Sequence, residues 1–264
     1  MRFLCLHGRG TCAKIFELQT ARLREELQDH EFVFFDGPLL TEPGPGASAI
    51  TDEYFAFIPE DASSDADQCQ ELVLGLVGFV RENGPFDGVM GFSEGGITAA
   101  MLLVEDARKP FAHFQCGIFF SAGPPLDPDV VRTGVLRCVD PATNGPIIGI
   151  PTAHFYGSNE DFPGLRVLSP LHPLYTEVWP ELDERLCDRL VDLCDPGSRE
   201  VLEHDLGHAV PGEKSTKAMS EALRAIQRTI DRAEINMERG IQPTVVDLPE
   251  PKKSMQEANA VAAG

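Results

Sequence analysis

Ser93 stands between two glycines in the run Gly91-Phe92-Ser93-Glu94-Gly95, a spacing with a particular chemical use. A serine hydroxyl serves as a nucleophile when a sharp turn presents it and a base can take its proton. The flanks supply the turn. Phe86-Asp87-Gly88-Val89-Met90 reads as a short buried strand, and Gly96-Ile97-Thr98-Ala99-Ala100-Met101-Leu102-Leu103 as a buried helix. Strand, tight turn and helix is the context that makes Gly-x-Ser-x-Gly a nucleophile elbow. The helix N-terminus then aims backbone N–H groups and a partial positive charge at any oxyanion formed over the serine. The glycines leave room where strand and helix pack closely. In a glycine-rich chain the same five residues also fit a plain junction with a serine cap, but the flanks favour the nucleophile.

A serine nucleophile needs a base, and the base needs a carboxylate to orient it. Two later turns offer these in chain order. The strand-like run Ile150-Pro151-Thr152-Ala153-His154-Phe155-Tyr156 enters Gly157-Ser158-Asn159-Glu160-Asp161, which carries two adjacent carboxylates. The run Arg199–His204 enters Asp205-Leu206-Gly207-His208-Ala209-Val210-Pro211. His208 is the candidate base. Asp161 is the preferred acid, with Glu160 open beside it. Serine, acid, histidine is the chain order of α/β-hydrolases. His204 would form a zinc-binding His-x-x-x-His pair with His208 only on a helix. Gly207 and the strand-like run before it argue against that, and no metal ligand is assigned. His154 reads as a core residue, and His7 as a residue that shapes its loop. The oxyanion hole requires two backbone donors. Glu94, next after the nucleophile, offers one. Arg9, in the loop His7-Gly8-Arg9-Gly10 after the first strand, offers the other.

The elements that must hold these groups alternate in type. Arg2–Leu6, Phe32–Phe35, Val89–Phe92, Cys116–Phe120, Ala153–Tyr156 and Val201–His204 read as strands. Between and after them, Ile15–Leu27, Leu72–Val80, Ile97–Val104 and Ser215–Arg239 read as helices. The first of these sets Ile15, Leu18, Leu23 and Leu27 on one apolar face. Such alternation predicts a mainly parallel sheet covered by helices. Three stretches break the rhythm: residues 41–67, 123–150 and 161–186. Long excursions of this kind are often lids or binding loops. Tyr54, Phe55, Phe57 and Trp179 lie on them, and these aromatics either line an apolar groove or fill core beneath the loops. The expected organisation is one domain over residues 1–240, followed by a mobile tail over 241–264.

Composition narrows the partners. The chain has 264 residues and a net charge of −20. Phosphate backbones and anionic membranes select the opposite sign, so nucleic acid and membrane surfaces are excluded as partners. Seven cysteines without a Cys-x-x-Cys pair indicate neither zinc nor redox chemistry, and fit a reducing compartment. The chain opens on a strand rather than a leader-like segment, and the expected location is cytoplasmic.

Taken together, Leu4-Cys5-Leu6-His7-Gly8, the run Gly84 to Gly95, Ile150-Pro151-Thr152-Ala153-His154, and Gly207-His208 with Pro211 resemble the fungal serine hydrolase family. That family includes esterases and thioesterases encoded beside polyketide synthases. The resemblance spans residues 2–235. It implies an α/β-hydrolase with lid-like loop insertions and no cofactor. The family triad falls on Ser93, an acid at 160–161, and His208. The family's usual spacing puts its aspartate where Glu160 stands; Asp161 fits with one extra residue in the turn. The implied substrate is a polyketide-type acyl ester or thioester, released from a synthase carrier domain. A general carboxylesterase, or a silent binding module on the same fold, are the alternatives. A carrier domain that is itself acidic would need a basic patch to dock on, for which Arg2, Arg9, Lys14, Arg22 and Arg24 are the candidates.

Overall fold

The computed structural model describes residues 1–45, 47, 50–60, 65–158, 169–180, 185–212 and 214–241. Six parallel strands form the central sheet: β1 (Arg2–Leu6), β2 (Glu31–Phe35), β5 (Gly88–Phe92), β6 (Cys116–Phe120), β7 (Thr152–Gly157) and β8 (Arg199–His204). Their order is β2-β1-β5-β6-β7-β8. A separate hairpin pairs β3 (Leu39–Leu40) with β4 (Phe55–Ala56) antiparallel. The sheet is the one that the alternating pattern predicts.

Side chains alternate between the two faces, as strand geometry requires. Leu4, Leu6, Val89 and Phe119 enter one core cluster, with helices α3 (Ala66–Asn83) and α4 (Glu94–Arg108) on that face. Phe3, Cys5, Met90, Phe92, Ile118, Phe120 and Phe155 enter the other. Helix α1 (Ala13–Gln19) and the long C-terminal helix (Thr216–Glu238) cover that second face. Both faces are covered, so the strands read as apolar runs rather than as alternating ones.

The helix expected over Ile15–Leu27 is two helices, α1 and α2 (Ala21–Glu25). They part at Thr20. Its Oγ1 donates to the Phe16 carbonyl at 2.8 Å, a local bond through which threonine competes with helical continuation. Leu18, two residues before the break, points to solvent, 56% exposed, while Ile15, Leu23 and Leu27 are buried. Short helices occupy the 123–150 excursion: α5 (Pro128–Val131) and α6 (Pro141–Asn144). Later come α7 (His172–Val178) and α8 (Leu186–Asp192), with the C-terminal helix as α9. The proposed tail lies outside the described residues beyond Ile241.

The strand order creates a switch point. From β1 the chain moves outward to β2, then returns to place β5 on the other side of β1. In open α/β sheets the crevice beyond the carboxyl ends of the strands at such a reversal is where ligands bind. The loop after β1 holds Arg9, and the turn after β5 holds Ser93.

His154 sits on β7, buried, with Nε2 3.0 Å from Thr152 Oγ1 and its ring stacked on Phe119. Burial, with Arg199 nearby, lowers its pKa from 6.5 to about 3. Between those values the unfolded chain holds a proton that the folded chain does not. The stability it contributes is therefore full above pH 6.5 and lost progressively as pH falls toward about 3. Replacing it with Gln should flatten that fall. Urea midpoints of parent and His154→Gln, followed from about pH 7 to about pH 4, should converge as the medium acidifies; parallel curves would refute the linkage.

Candidate active site

Ser93 is the last residue before α4, with φ 54° and ψ −119°. A non-glycine residue with positive φ holds about 1–3 kcal/mol of strain, which the surroundings must over-determine. They do so from three sides. The Ser93 N–H donates to the Phe120 carbonyl on β6 at 2.8 Å, and its carbonyl accepts from Ile97 N at 3.0 Å. The elbow is packed backbone against backbone. A Cβ on Gly91 would run into the Gly95 carbonyl, and one on Gly95 into the carbonyls of Leu6 and His7. Only glycine permits α4 to start this close to β1.

His208 lies on the loop after β8. Its Nε2 is 2.9 Å from Ser93 Oγ, although 115 residues separate them in sequence. Its ring leans on Phe92, centroids 5.0 Å apart. With the proton on Nδ1, the serine hydroxyl donates to Nε2, the arrangement from which a neutral imidazole takes a proton. His204 has a different role. It is buried at the end of β8, its Nδ1 accepts from Leu206 N at 3.3 Å, and its carbonyl accepts from Ser158 N at 2.7 Å. It braces the two turns that follow β7 and β8. Those turns touch: a Cβ on Gly157 would fall 2.7 Å from the Gly207 carbonyl. Glu160 and Asp161, the two candidate acids, lie outside the described residues.

The loop after β1 reaches the same point. A Cβ on Gly8 would lie 3.4 Å from Ser93 Cβ. His7 is fully buried beneath it. Its Nδ1 is 2.8 Å from the Gly8 carbonyl and its Nε2 accepts from Gly37 N at 2.9 Å. That pairing fits the neutral ring with its proton on Nδ1, and burial lowers its pKa. His7 thus shapes the loop and faces away from proton transfer. Among the described residues, no acceptor engages the backbone N–H of Arg9 or of Glu94. Two free donors beside a serine at a helix N-terminus can hold a developing oxyanion.

The side chains of those two residues form an ion pair that the sequence reading did not anticipate. Glu94 Oε2 accepts from Arg9 Nε at 2.8 Å, and Glu94 Oε1 accepts from Phe57 N and Ile58 N at 2.6 and 3.2 Å. Burial raises the Glu94 carboxyl above its ordinary value, an effect that Arg9 and the two amides offset only in part. Beside this pair an open cleft of about 220 Å³ is lined by the apolar Leu39, Leu40, Ala56, Ile58 and Pro59 and by the polar Arg9, Glu60, Asp65 and Gln68.

The loop aromatics divide. Phe57 takes the core alternative. At 0% exposure, against His7 and Phe35, its ring has no surface left for a ligand. Tyr54 is buried with Cys12 and Ile15, and Trp179 with Tyr175. Phe55 is half-buried on β4. The supposed basic patch is also taken up. Arg2 pairs with Glu31 and Arg22 with Glu25, while Arg24 lies over the Phe34 ring. Lys14 is exposed.

Comparison with known proteins places this geometry in a family. A model described as serine hydrolase (FSH1) matches residues 1–165. The esterase FPY3 of Fusarium mangiferae is 32% identical over 242 residues, covering 89% of this chain and 99% of that one. The esterase FUS5 of Gibberella moniliformis is 28% identical over 251 residues, covering 89% and 91%. Among solved structures, Arabidopsis thaliana SOBER1 superposes with a TM-score of 0.50 at 14% identity, covering 87% of this chain and 99% of that one. Zea mays acyl-protein thioesterase 2 does so at 0.50 and 16%, covering 87% and 93%. At such identities the structural matches establish the α/β-hydrolase fold.

The two histidines separate by experiment. His208→Ala is expected to lower kcat on a chromogenic ester by about 10²–10⁴-fold, the usual worth of a general base. His204→Ala, which removes a brace, should lower the melting temperature while costing kcat less than about tenfold. The reverse ranking would move the base to His204.

Proposed function

Since this chain belongs to the serine hydrolase (FSH1) family, we propose that it is an esterase or thioesterase whose nucleophile is Ser93 and whose base is His208. The observation that carries this reading is the 2.9 Å approach of His208 Nε2 to Ser93 Oγ at a strained elbow. His208 accepts the hydroxyl proton as Ser93 Oγ attacks the carbonyl carbon. The amides of Arg9 and Glu94 hold the oxyanion. His208 then gives the proton to the leaving alcohol or thiol, and the acyl group rests on Ser93. Water, deprotonated by His208, releases the acid and restores the serine. Asp161 orients His208, with Glu160 as the alternative one residue earlier. The turn after β7 supports this assignment, since it lies against the turn that carries His208.

The proposed substrate is a polyketide-type acyl chain on a synthase carrier domain, in the cytoplasm. The motif run Gly84 to Gly95 supports it through the family resemblance, and the esterases FPY3 and FUS5 among its relatives fit the reaction type. No described helix is long and apolar enough to cross a membrane. Leu39, Leu40, Ile58 and Pro59, the apolar part of a cleft otherwise lined by polar residues, offer surface for an acyl chain, whose burial contributes affinity.

Ser93→Ala is expected to abolish esterase activity and fluorophosphonate labelling, a loss of about 10⁶-fold in kcat by analogy with other serine nucleophiles, with the fold kept. Labelling of the folded variant would place the nucleophile elsewhere. Asp161→Asn should then lower kcat by about 10⁴-fold through the wrong imidazole tautomer. If Glu160→Gln does so instead, the acid is Glu160. One acyl group compared on a carrier domain and on a short thiol should turn over faster on the carrier. Equal rates at every ionic strength, with short simple esters preferred, would favour the general carboxylesterase.

A further inference from the structure

Arg9 and Glu94 are 85 residues apart in sequence, yet their side chains meet at 2.8 Å and their backbone amides are the two proposed oxyanion donors. The pair is more than a bridge between two points. Glu94 Oε1 takes the amides of Phe57 and Ile58. Arg9 Nη2 donates to the Ile58 carbonyl, and Nη1 lies 3.5 Å from Thr41 Oγ1 and 3.7 Å from Glu60 Oε1. The Gly10 amide next to Arg9 donates to the Phe55 carbonyl at 3.0 Å. Three segments are therefore tied at one place: the loop after β1, the first residue of α4, and the chain leaving β4.

Stability alone does not account for such a pair. The Glu94 side chain is 6% exposed and that of Arg9 18%. Taking a carboxylate and a guanidinium out of water costs several kcal/mol per ion, and a well-packed apolar pair often does as well or better. What a buried, fully hydrogen-bonded ion pair supplies is a single geometry. Guanidinium and carboxylate fix both distance and direction. Here each partner is the residue whose own N–H must point at one atom.

We propose that the Arg9–Glu94 ion pair is a positioning device for the oxyanion hole, holding its two amides in one fixed relation and coupling them to the 55–58 segment at the cleft. This rests on the reading of Ser93 as nucleophile and of the two amides as donors. Side-chain substitution leaves both N–H groups in the chain, so any loss of rate has to come from their placement. A displacement of about 1 Å at a catalytic group costs about 10²-fold.

The test uses the full-length protein with Glu94→Gln, Arg9→Met, Arg9→Lys and the double variant Arg9→Met/Glu94→Gln. The readouts are kcat and KM on p-nitrophenyl butyrate, affinity for a trifluoromethyl ketone that forms a tetrahedral adduct, and melting temperature. Glu94→Gln and Arg9→Met should each lower kcat roughly 10- to 100-fold with KM held within about twofold, and weaken the ketone in step. The double variant should be no worse than the poorer single one, since the pair acts as a unit. Arg9→Lys, which keeps the charge but not the fork, should fall between parent and Arg9→Met. Should Glu94→Gln not fold, the Arg9→Lys and Arg9→Met series decides by the same criteria. An unchanged kcat, additive losses, or a rise in KM alone would overturn the proposal. End-point fluorophosphonate labelling keeps the two readings apart. Slow but complete labelling of every variant leaves Ser93 standing whatever the ion pair does; a parent that takes no label sinks the nucleophile itself.

Discussion

Gly95 lies so close to the carbonyls of Leu6 and His7 that no side chain fits between α4 and the end of β1. Most of the site depends on that contact. It brings the helix N-terminus over the switch point of the sheet, where its unpaired amides face outward. It forces the chain through positive φ at Ser93, which sets the hydroxyl apart from both strand and helix. It also puts the loop after β1 within reach of the serine, as the near approach of Gly8 to Ser93 Cβ shows. The placement of the proposed nucleophile and oxyanion donors thus follows from one steric constraint, and the buried, neutral His7 fixes the loop from below through Gly8 and Gly37.

The proposed base, His208, arrives by a different route. β7 and β8 lie at the far side of the sheet, two and three strands from β5. Parallel strands all release their loops at the same edge, so the turns after β5, β7 and β8 share one rim without any further device. Gly157 against Gly207 then brings the last two turns together. The His204 carbonyl, accepting from Ser158, ties them by a hydrogen bond. Phe92, the residue before Ser93, gives the His208 ring a wall to lean on. A serine and a histidine remote in sequence meet because the sheet topology leaves their loops no other edge.

Most of the sheet strands were legible because they are apolar runs bounded by turn residues, the pattern of a strand covered on both faces; β8, at the sheet edge with Arg199, Glu200 and Glu203, is not such a run. The Gly-x-Ser-x-Gly turn was legible for the same reason: its flanks announce a strand and a helix. What escaped is local and polar. The break at Thr20 comes from one hydroxyl bonding a carbonyl four residues back, which apolar periodicity does not register. The short helices at Pro128 and Pro141 did carry a signal. Asp127 and Asp140 each cap the first turn with proline directly after, a known start signature that a Pro/Gly-rich reading passes over. The β3–β4 hairpin has two-residue strands, too short for any pattern. The fate of Phe57 turned on burial, since an aromatic on a loop reads the same whether it faces a ligand or His7. The Arg9–Glu94 pair was invisible because a contact across 85 residues leaves no local trace.

The acidic surface acquires a sharper meaning once the cations are located. The chain carries 22 Lys and Arg against 42 Asp and Glu, and several of its arginines are held in ion pairs. Arg9 is committed to Glu94, Arg132 to Glu105, and Arg185 to Asp188 and Glu203. Arg108 is nearly enclosed beside Asp127. Cations held in such pairs cannot serve an approaching anion without first breaking a bond. A partner with an acidic surface therefore meets repulsion on approach, and its association slows most at low salt, where screening is weakest. Any productive encounter with such a partner has to be held by contacts that ignore charge. In the proposed reaction an apolar acyl chain is the group suited to that, because its burial is favourable at any ionic strength.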